Sequence, residues 1–493
     1  MRRAAHLLGV AAVLFVAAWL RFDSLGVPPM QADEATGARF VARVLEGPAP
    51  RFNPSHFHGP VLWLAGASVA RAAHEEGWTE LTADTLRIVP VFAGLMVVLA
   101  ALASFPLVGR RASLLAAAFV AVSPVAVHYN RVFLHEPVLA ASLAGGLLAA
   151  AIWWSRPSWW SAVACGALFG LAAATKESFL LAPASWIAAA LVLRLRPPVP
   201  VRPLVAATTT CMAVALAVVA LFQTDFLTDP QGLLCYVATY WSYQLGAGHE
   251  KPSAYYAALL LAPSFHGRLV WWFGAPLLLA ASAFFAPLSG RATAAAKFLV
   301  VAATAHLAVL SLLPYKTPWL VLVPSLELSA AAGCALAAWM SAARARAALA
   351  AAAVFVLLLD AGQARRTARD FPSDPRNPLC YVSTVPGISE WTRRLGRWLV
   401  ARENPSAAVA VVGSGYWPLP WYLRDHGAVG YWARMADAPA DAPVVVAMPD
   451  AAADAARVLA DTHRATYEGV RQDTPAVVFI RADIWRRAVE DSP

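Results

Sequence analysis

Charge is scarce in this chain. Asp, Glu, Lys and Arg make up 14% of its 493 residues, where an average globular domain carries about a quarter. Hydrophobic residues reach 59% and the mean hydropathy is +0.56, which excludes an ordinary soluble domain. Long, nearly charge-free runs recur from residue 4 to residue 361 and then stop. That pattern implies a polytopic helical membrane protein with a soluble tail. Cysteine is scarce too. The five, Cys165, Cys211, Cys235, Cys334 and Cys380, show no CxxC or metal-ligand spacing, and only Cys235 and Cys380 fall outside the apolar runs, where one disulfide could join them. Lysine is limited to Lys176, Lys251, Lys297 and Lys316. The net charge of +9 does not point to nucleic acid, because the basic residues lie in short clusters between apolar runs.

Eleven candidate spans follow, near 4–22, 86–108, 112–128, 137–154, 160–175, 178–193, 204–222, 268–287, 297–313, 318–340 and 347–361. The first run, after Met1-Arg2-Arg3, lacks a small-residue cleavage site and reads as a retained span. With the N-terminus cytoplasmic, the inner connections hold twelve basic residues, among them Arg110, Arg111, Arg156 and Arg291, and no Asp or Glu. The positive-inside rule predicts that bias. The other face receives the 23–85 loop, the 128–136 turn, Thr175-Lys176-Glu177-Ser178, an aromatic-rich loop over 223–268, and Pro314-Tyr315-Lys316-Thr317-Pro318. Val61 to Val69 is apolar but too short to span, and reads as an interfacial or re-entrant helix. Past residue 361 the composition becomes ordinary. Short apolar strands at 408–412, 443–447 and 476–480, with helices near 388–402 and 450–463, predict a small α/β domain over 362–493 on the outer face. Gly413-Ser414-Gly415 follows a strand but is not GxGxxG, and reads as a turn.

On the outer face, the adjacent carboxylates of Asp33 and Glu34 stand out at the membrane edge. One could take a proton from an acceptor hydroxyl, and its neighbour could orient a ligand or hold a metal; alone, the pair would read as a solvated acidic turn. Arg131, His135 and Glu136 gather at the mouth of a helical pair, since Pro137 can open the next span. Lys176 and Lys316 sit in very short turns, where a leaving phosphate would need cations, although both could also snorkel or pair, Lys176 with Glu177. His56 and His58 form an HxH pair that leaves a divalent metal open.

Arg21-Phe22-x-x-Leu25, Asp33-Glu34-Ala35, His128-Tyr129-x-Arg131 and Thr175-Lys176-Glu177 together resemble the GT-C membrane glycosyltransferases, which include protein O-mannosyltransferases and bacterial aminoarabinose transferases of lipid A. A closer likeness is to a prokaryotic subgroup associated with archaeal N-glycosylation and sometimes called flippase-associated. It rests on Phe57-His58-Gly59-Pro60, on Pro314-Tyr315-Lys316-Thr317-Pro318-Trp319, on Asn377-Pro378 with Tyr381-Val382-x-Thr384, and on the run from Trp417 to Arg424. The resemblance implies a polyprenyl-phosphate-linked sugar donor and transfer on the outer face to a lipid, glycan or protein acceptor. It also implies Asp33 as catalytic acid group, Glu34 as its partner and Arg131 beside the donor phosphate. Lys176 and Lys316 join the phosphate site on chemistry and topology, and His58, His135, Glu136 and Glu177 are expected to support it.

The expectation is therefore an α-helical polytopic inner-membrane protein of GT-C type, an inverting glycosyltransferase with Asp33 as general base. Two rivals remain. A lipid-linked sugar flippase or its accessory factor would use the same cations without chemistry, though adjacent acids would repel an anionic lipid. A metallohydrolase built on His56, His58, Asp33 and Glu34 would lack any HExxH motif.

Overall fold

The structure is a computed structural model and describes residues 2–47, 58–196, 201–242, 249–284, 289–342, 346–399 and 408–490. The long apolar runs become helices, even where one holds an interior proline, as Ala83–Ala103 does at Pro90. Among the described residues, seven helices are long and apolar enough to cross a membrane: Arg3–Phe22, Ala83–Val108, His135–Ser155, Val205–Gln223, Arg291–Leu312, Pro318–Ala342 and Arg346–Asp370. Shorter apolar helices over Trp159–Thr175 and Glu177–Val192 fill the expected positions between them. Small residues let these helices touch. Gly166 and Gly170, one turn apart, face the carbonyls of Cys211 and Ala215 so closely that an added Cβ would stand 2.3 and 2.7 Å from those oxygens. This is the small-xxx-small contact by which helices associate in lipid, where apolar area alone gives no drive.

Two expected spans are corrected. The stretch 268–287 is not one helix: β1 (Ser264–His266) and β2 (Leu269–Trp271) form an antiparallel hairpin, and the helix begins only at Ala275, with Pro276 in its first turn. The stretch 112–128 divides into Arg110–Val122 and Pro124–Tyr129, because Ser123 is extended ahead of a proline. The 23–85 loop carries structure of its own. Following α1 (Arg2–Phe22), it holds α2 (Ala32–Glu46) and α3 (Val61–Ala72), and α4 (Ala83–Ala103) returns into the bundle. The face Leu62, Trp63, Ala67, Ala70 of α3 packs with Phe40, Val41 and Val44 of α2 in one buried cluster.

At the C-terminus, β3 (Val409–Val412), β4 (Val429–Trp432), β5 (Val444–Ala447), β6 (His463–Arg471) and β7 (Thr474–Arg481) form one sheet in the order β4-β3-β5-β7-β6. The pairs β3–β4 and β3–β5 are parallel; β5–β7 and β6–β7 are antiparallel. Alternation along β3 and β5 sends Val409, Val411, Val444 and Val446 to one face, against Ile388, Trp391 and Leu395 of the helix Ile388–Leu399. Ala410, Val412, Val445 and Ala447 meet Ala455 and Leu459 on the other. Period-two burial on both faces is what a sheet covered by helices requires. Cys235 and Cys380 are free thiols here, so the disulfide left open by their place outside the apolar runs is not present.

Candidate active site

The acidic motif occupies the first turn of α2, and its two carboxylates diverge. Glu34 is fully buried. It accepts from Arg87 Nε and Nη2 (2.8 and 2.7 Å), from the Phe133 amide (2.9 Å) and from the Gln31 amide (3.1 Å). Arg87 also reaches back to the carbonyls of Leu25, Pro28 and Pro29. A bidentate buried pair with every lone pair engaged is a structural lock. The expectation that Glu34 shares the chemistry or holds a metal is corrected on that ground: it anchors α2 and the turn before it.

Asp33 points the other way and has no hydrogen-bond or ion-pair partner among the described residues. Its side chain is open to solvent, but the opening is a recess ringed by protein. Desolvation and the Glu136 charge raise its pKa above the ordinary carboxylate range, against the opposing fields of His58, Lys176 and His249. A carboxyl that solvent can enter, yet whose ionised form is disfavoured by its surroundings, is suited to accept a proton.

Around that recess the structure assembles most of the expected side chains. Lys176 Nζ forms a buried ion pair with Glu136. Burial opposes the Lys176 charge, and Glu136 and Glu177 more than offset it, leaving the pKa above that of an ordinary lysine. His58 Nδ1 lies 3.0 Å from Glu177 Oε2, and His135 Nε2 donates to the Gly59 carbonyl (3.2 Å) with its ring 5.0 Å from that of His58. Gly59 explains its place in the motif: a Cβ there would stand 1.9 Å from the Ala174 carbonyl oxygen. His56 lies outside the described residues. Lys316 is buried, and its Nζ donates to the Leu313 carbonyl.

Arg131 is not at the site. Its guanidinium donates to the carbonyls of Leu20, Arg21, Asp23 and Ser24 at the C-terminal end of α1 (2.6–3.2 Å). Those are carbonyls that a helix end leaves without partners, so Arg131 caps α1 and the expected phosphate contact is corrected.

Several residues went unforeseen. Lys251 donates to the Lys316 carbonyl (3.0 Å) and places its ammonium 4.3 Å from the Tyr381 ring centre. His249 bonds the Tyr381 hydroxyl, and its carbonyl accepts from the Lys316 amide (3.0 Å). Neither Lys251 nor Lys316 has a carboxylate within ion-pair distance among the described residues. The rarity of lysine was the available signal for Lys251. For Arg87, the signal was a charge inside an apolar run. Beside Glu136, a crevice lined by Leu139, Leu143, Leu181, His306 and Leu310 runs between the helices. Its free volume is about 20 Å³, room for one water. Among the described residues, no three His, Cys, Asp or Glu side chains are grouped to hold a metal ion.

This architecture is the GT-C fold of membrane glycosyltransferases, closed by a small sheet domain. The chain is similar to ArnT from Cupriavidus metallidurans in the apo state (TM-score 0.63, 16% identity), over 98% of this chain and 99% of that one. The same protein bound to undecaprenyl phosphate gives 0.62 and 16%, over 97% and 98%. The archaeal oligosaccharyltransferase AglB from Archaeoglobus fulgidus, in complex with an inhibitory peptide and a dolichol-phosphate, gives 0.56 and 11%, over 98% and 77%. More particularly, residues 393–481 match the family described as Agl23 flippase-associated protein C-terminal domain. No curated protein sequence matches the chain.

Proposed function

We propose that the chain is an integral-membrane glycosyltransferase that moves a sugar from a polyprenyl-phosphate-linked donor to an acceptor on the outer face, with inversion. The observation that carries this reading is Asp33, a carboxyl with no partner among the described residues and a raised pKa, which feels the charges of Lys176 and of His249, the residue bonded to the Lys316 amide. The acceptor oxygen attacks the anomeric carbon as the bond from that carbon to the phosphate oxygen breaks. Its proton passes to Asp33, and the phosphate leaves with the bonding electrons. Lys316 and Lys251 lack carboxylate partners among the described residues and are suited to the developing phosphate charge, while Lys176 is already balanced by Glu136. The undecaprenyl phosphate and dolichol-phosphate held by ArnT and AglB, which share the fold, support a lipid-phosphate donor here.

The test is release of polyprenyl phosphate, with transfer of label, from a radiolabelled polyprenyl-phosphoryl sugar in membranes. Losing the base should reduce the rate roughly a hundredfold or more in Asp33→Asn; transfer at the wild-type rate would overturn the assignment. The flippase-associated description of the matching C-terminal family favours one second reading, a lipid-linked sugar flippase or its accessory factor. Movement of the donor across the bilayer without glycosylated product would favour it.

A further inference from the structure

Two sequence motifs, Tyr381-Val382-Ser383-Thr384 and Trp417 to Arg424, have no place in the chemistry above. Both reach the acidic motif. Tyr422 Oη accepts from the Met30 amide (2.7 Å), and Thr384 Oγ1 donates to the Met30 carbonyl (2.8 Å). Met30 is buried, three residues before Asp33. Nearby, Arg424 donates to the Leu81 carbonyl (3.1 Å) and stacks on Trp421, 3.7 Å from ring centre to guanidinium carbon. Trp421 itself is buried in the cluster that contains Phe40, Leu62 and Leu81.

The segment that carries Asp33 is thus held from two sides. From the membrane bundle, Arg87 binds the carbonyls of Leu25, Pro28 and Pro29 together with Glu34. From the C-terminal part of the chain, Thr384 and Tyr422 bind both peptide groups of Met30. Between these anchors Asp33 has no bond of its own among the described residues, so its position is inherited from its neighbours. We infer that Thr384 and Tyr422 are positioning residues for Asp33, and that the C-terminal domain is a working part of the catalytic centre. The same domain also brings Arg471 near enough to feel the Asp33 charge. Arg471 pairs with Thr384 in an antiparallel β-bridge, and its guanidinium donates to the Trp417 carbonyl (3.0 Å) and to Thr474 Oγ1 (3.1 Å).

The kinetic part rests on the glycosyltransferase reading; the structural part does not. Full-length Thr384→Val, Tyr422→Phe and their combination are compared with Thr384→Ser, which keeps the hydroxyl. Hydrogen exchange over residues 28–34 should accelerate at least tenfold in the double variant, with the spans and the β-sheet unchanged. Release of polyprenyl phosphate should lose ten- to a hundredfold in kcat, since small misplacements of a catalytic group are costly. The donor KM should hold within twofold, and Thr384→Ser should behave as wild type. Unchanged exchange over 28–34 overturns the inference whatever the activity. A loss of kcat matched by an equal rise in donor KM overturns the positioning role. Full transfer by Asp33→Asn would instead overturn the base assignment, with the exchange result still deciding the clamp.

Discussion

Two adjacent carboxylates end in opposite conditions, and that contrast makes separate predictions for each. Glu34 is buried in a bidentate pair with Arg87. Removing one partner of such a pair leaves an uncompensated charge, at a cost of about 3–5 kcal/mol. Glu34→Gln should therefore lower the thermal midpoint in detergent by several degrees. Asp33→Asn should leave it unchanged or raised at neutral pH. The sign follows from the direction of its shift: a carboxyl whose folded pKa is raised contributes stability while protonated, and loses that contribution as pH rises through the folded pKa. By the same shift, the acid limb of kcat/KM should lie above 3.8, the ordinary value for aspartate. A limb at or below that value, in a pH–rate profile taken in membranes, would remove Asp33 as the base. The two lysines are tested in the same assay. Lys251→Ala and Lys316→Ala should each raise the donor KM about tenfold, whereas Arg131→Lys should change stability and leave the donor KM alone.

At the scale of elements, one close contact sets the approach of the His58 loop to the bundle. Gly59→Ala would drive its Cβ to 1.9 Å from the Ala174 carbonyl, which sits beside Lys176. The loop must then move, taking with it the His58–Glu177 contact and the carbonyl that His135 binds. Transfer should fall more than tenfold while the far bundle keeps its exchange protection, as a peptide-resolved exchange map would register. Elements also show what a sequence can and cannot disclose. The long apolar helices were legible because a span needs only length and apolarity. So were β3, β5 and β7, each a short apolar run. The strand β6 was not: it is an edge strand reading His-Arg-Ala-Thr-Tyr-Glu-Gly-Val-Arg, and edges are kept polar to prevent pairing with other chains. The hairpin of β1 and β2 was hidden because β2, Leu-Val-Trp, has the hydropathy of a span and β1, Ser-Phe-His, carries no strand pattern. Asp33 was legible as a chemical type in a suggestive place. Arg131 carried the same kind of signal, and only geometry separates an arginine that caps carbonyls from one that would meet a phosphate.

For the whole molecule, the contacts of Met30 with Tyr422 and of Leu81 with Arg424 join the C-terminal domain to the loop that carries Asp33. Both must therefore lie on the same side of the membrane. The outer side is the one proposed from charge: the short connections assigned to the cytoplasm hold twelve basic residues and no acidic ones, and translocating them would be opposed at every span. Single-cysteine reporters can read this directly once the five native cysteines are replaced. Asp461 is exposed on the C-terminal domain, and Ser289 is exposed in a connection assigned to the cytoplasm. A membrane-impermeant maleimide applied to intact cells should label Asp461→Cys at once and Ser289→Cys only after permeabilisation. The reverse pattern would place Asp33 in the cytoplasm. A soluble nucleotide sugar could then reach the recess, and the need for a lipid-carried donor would disappear with the topology.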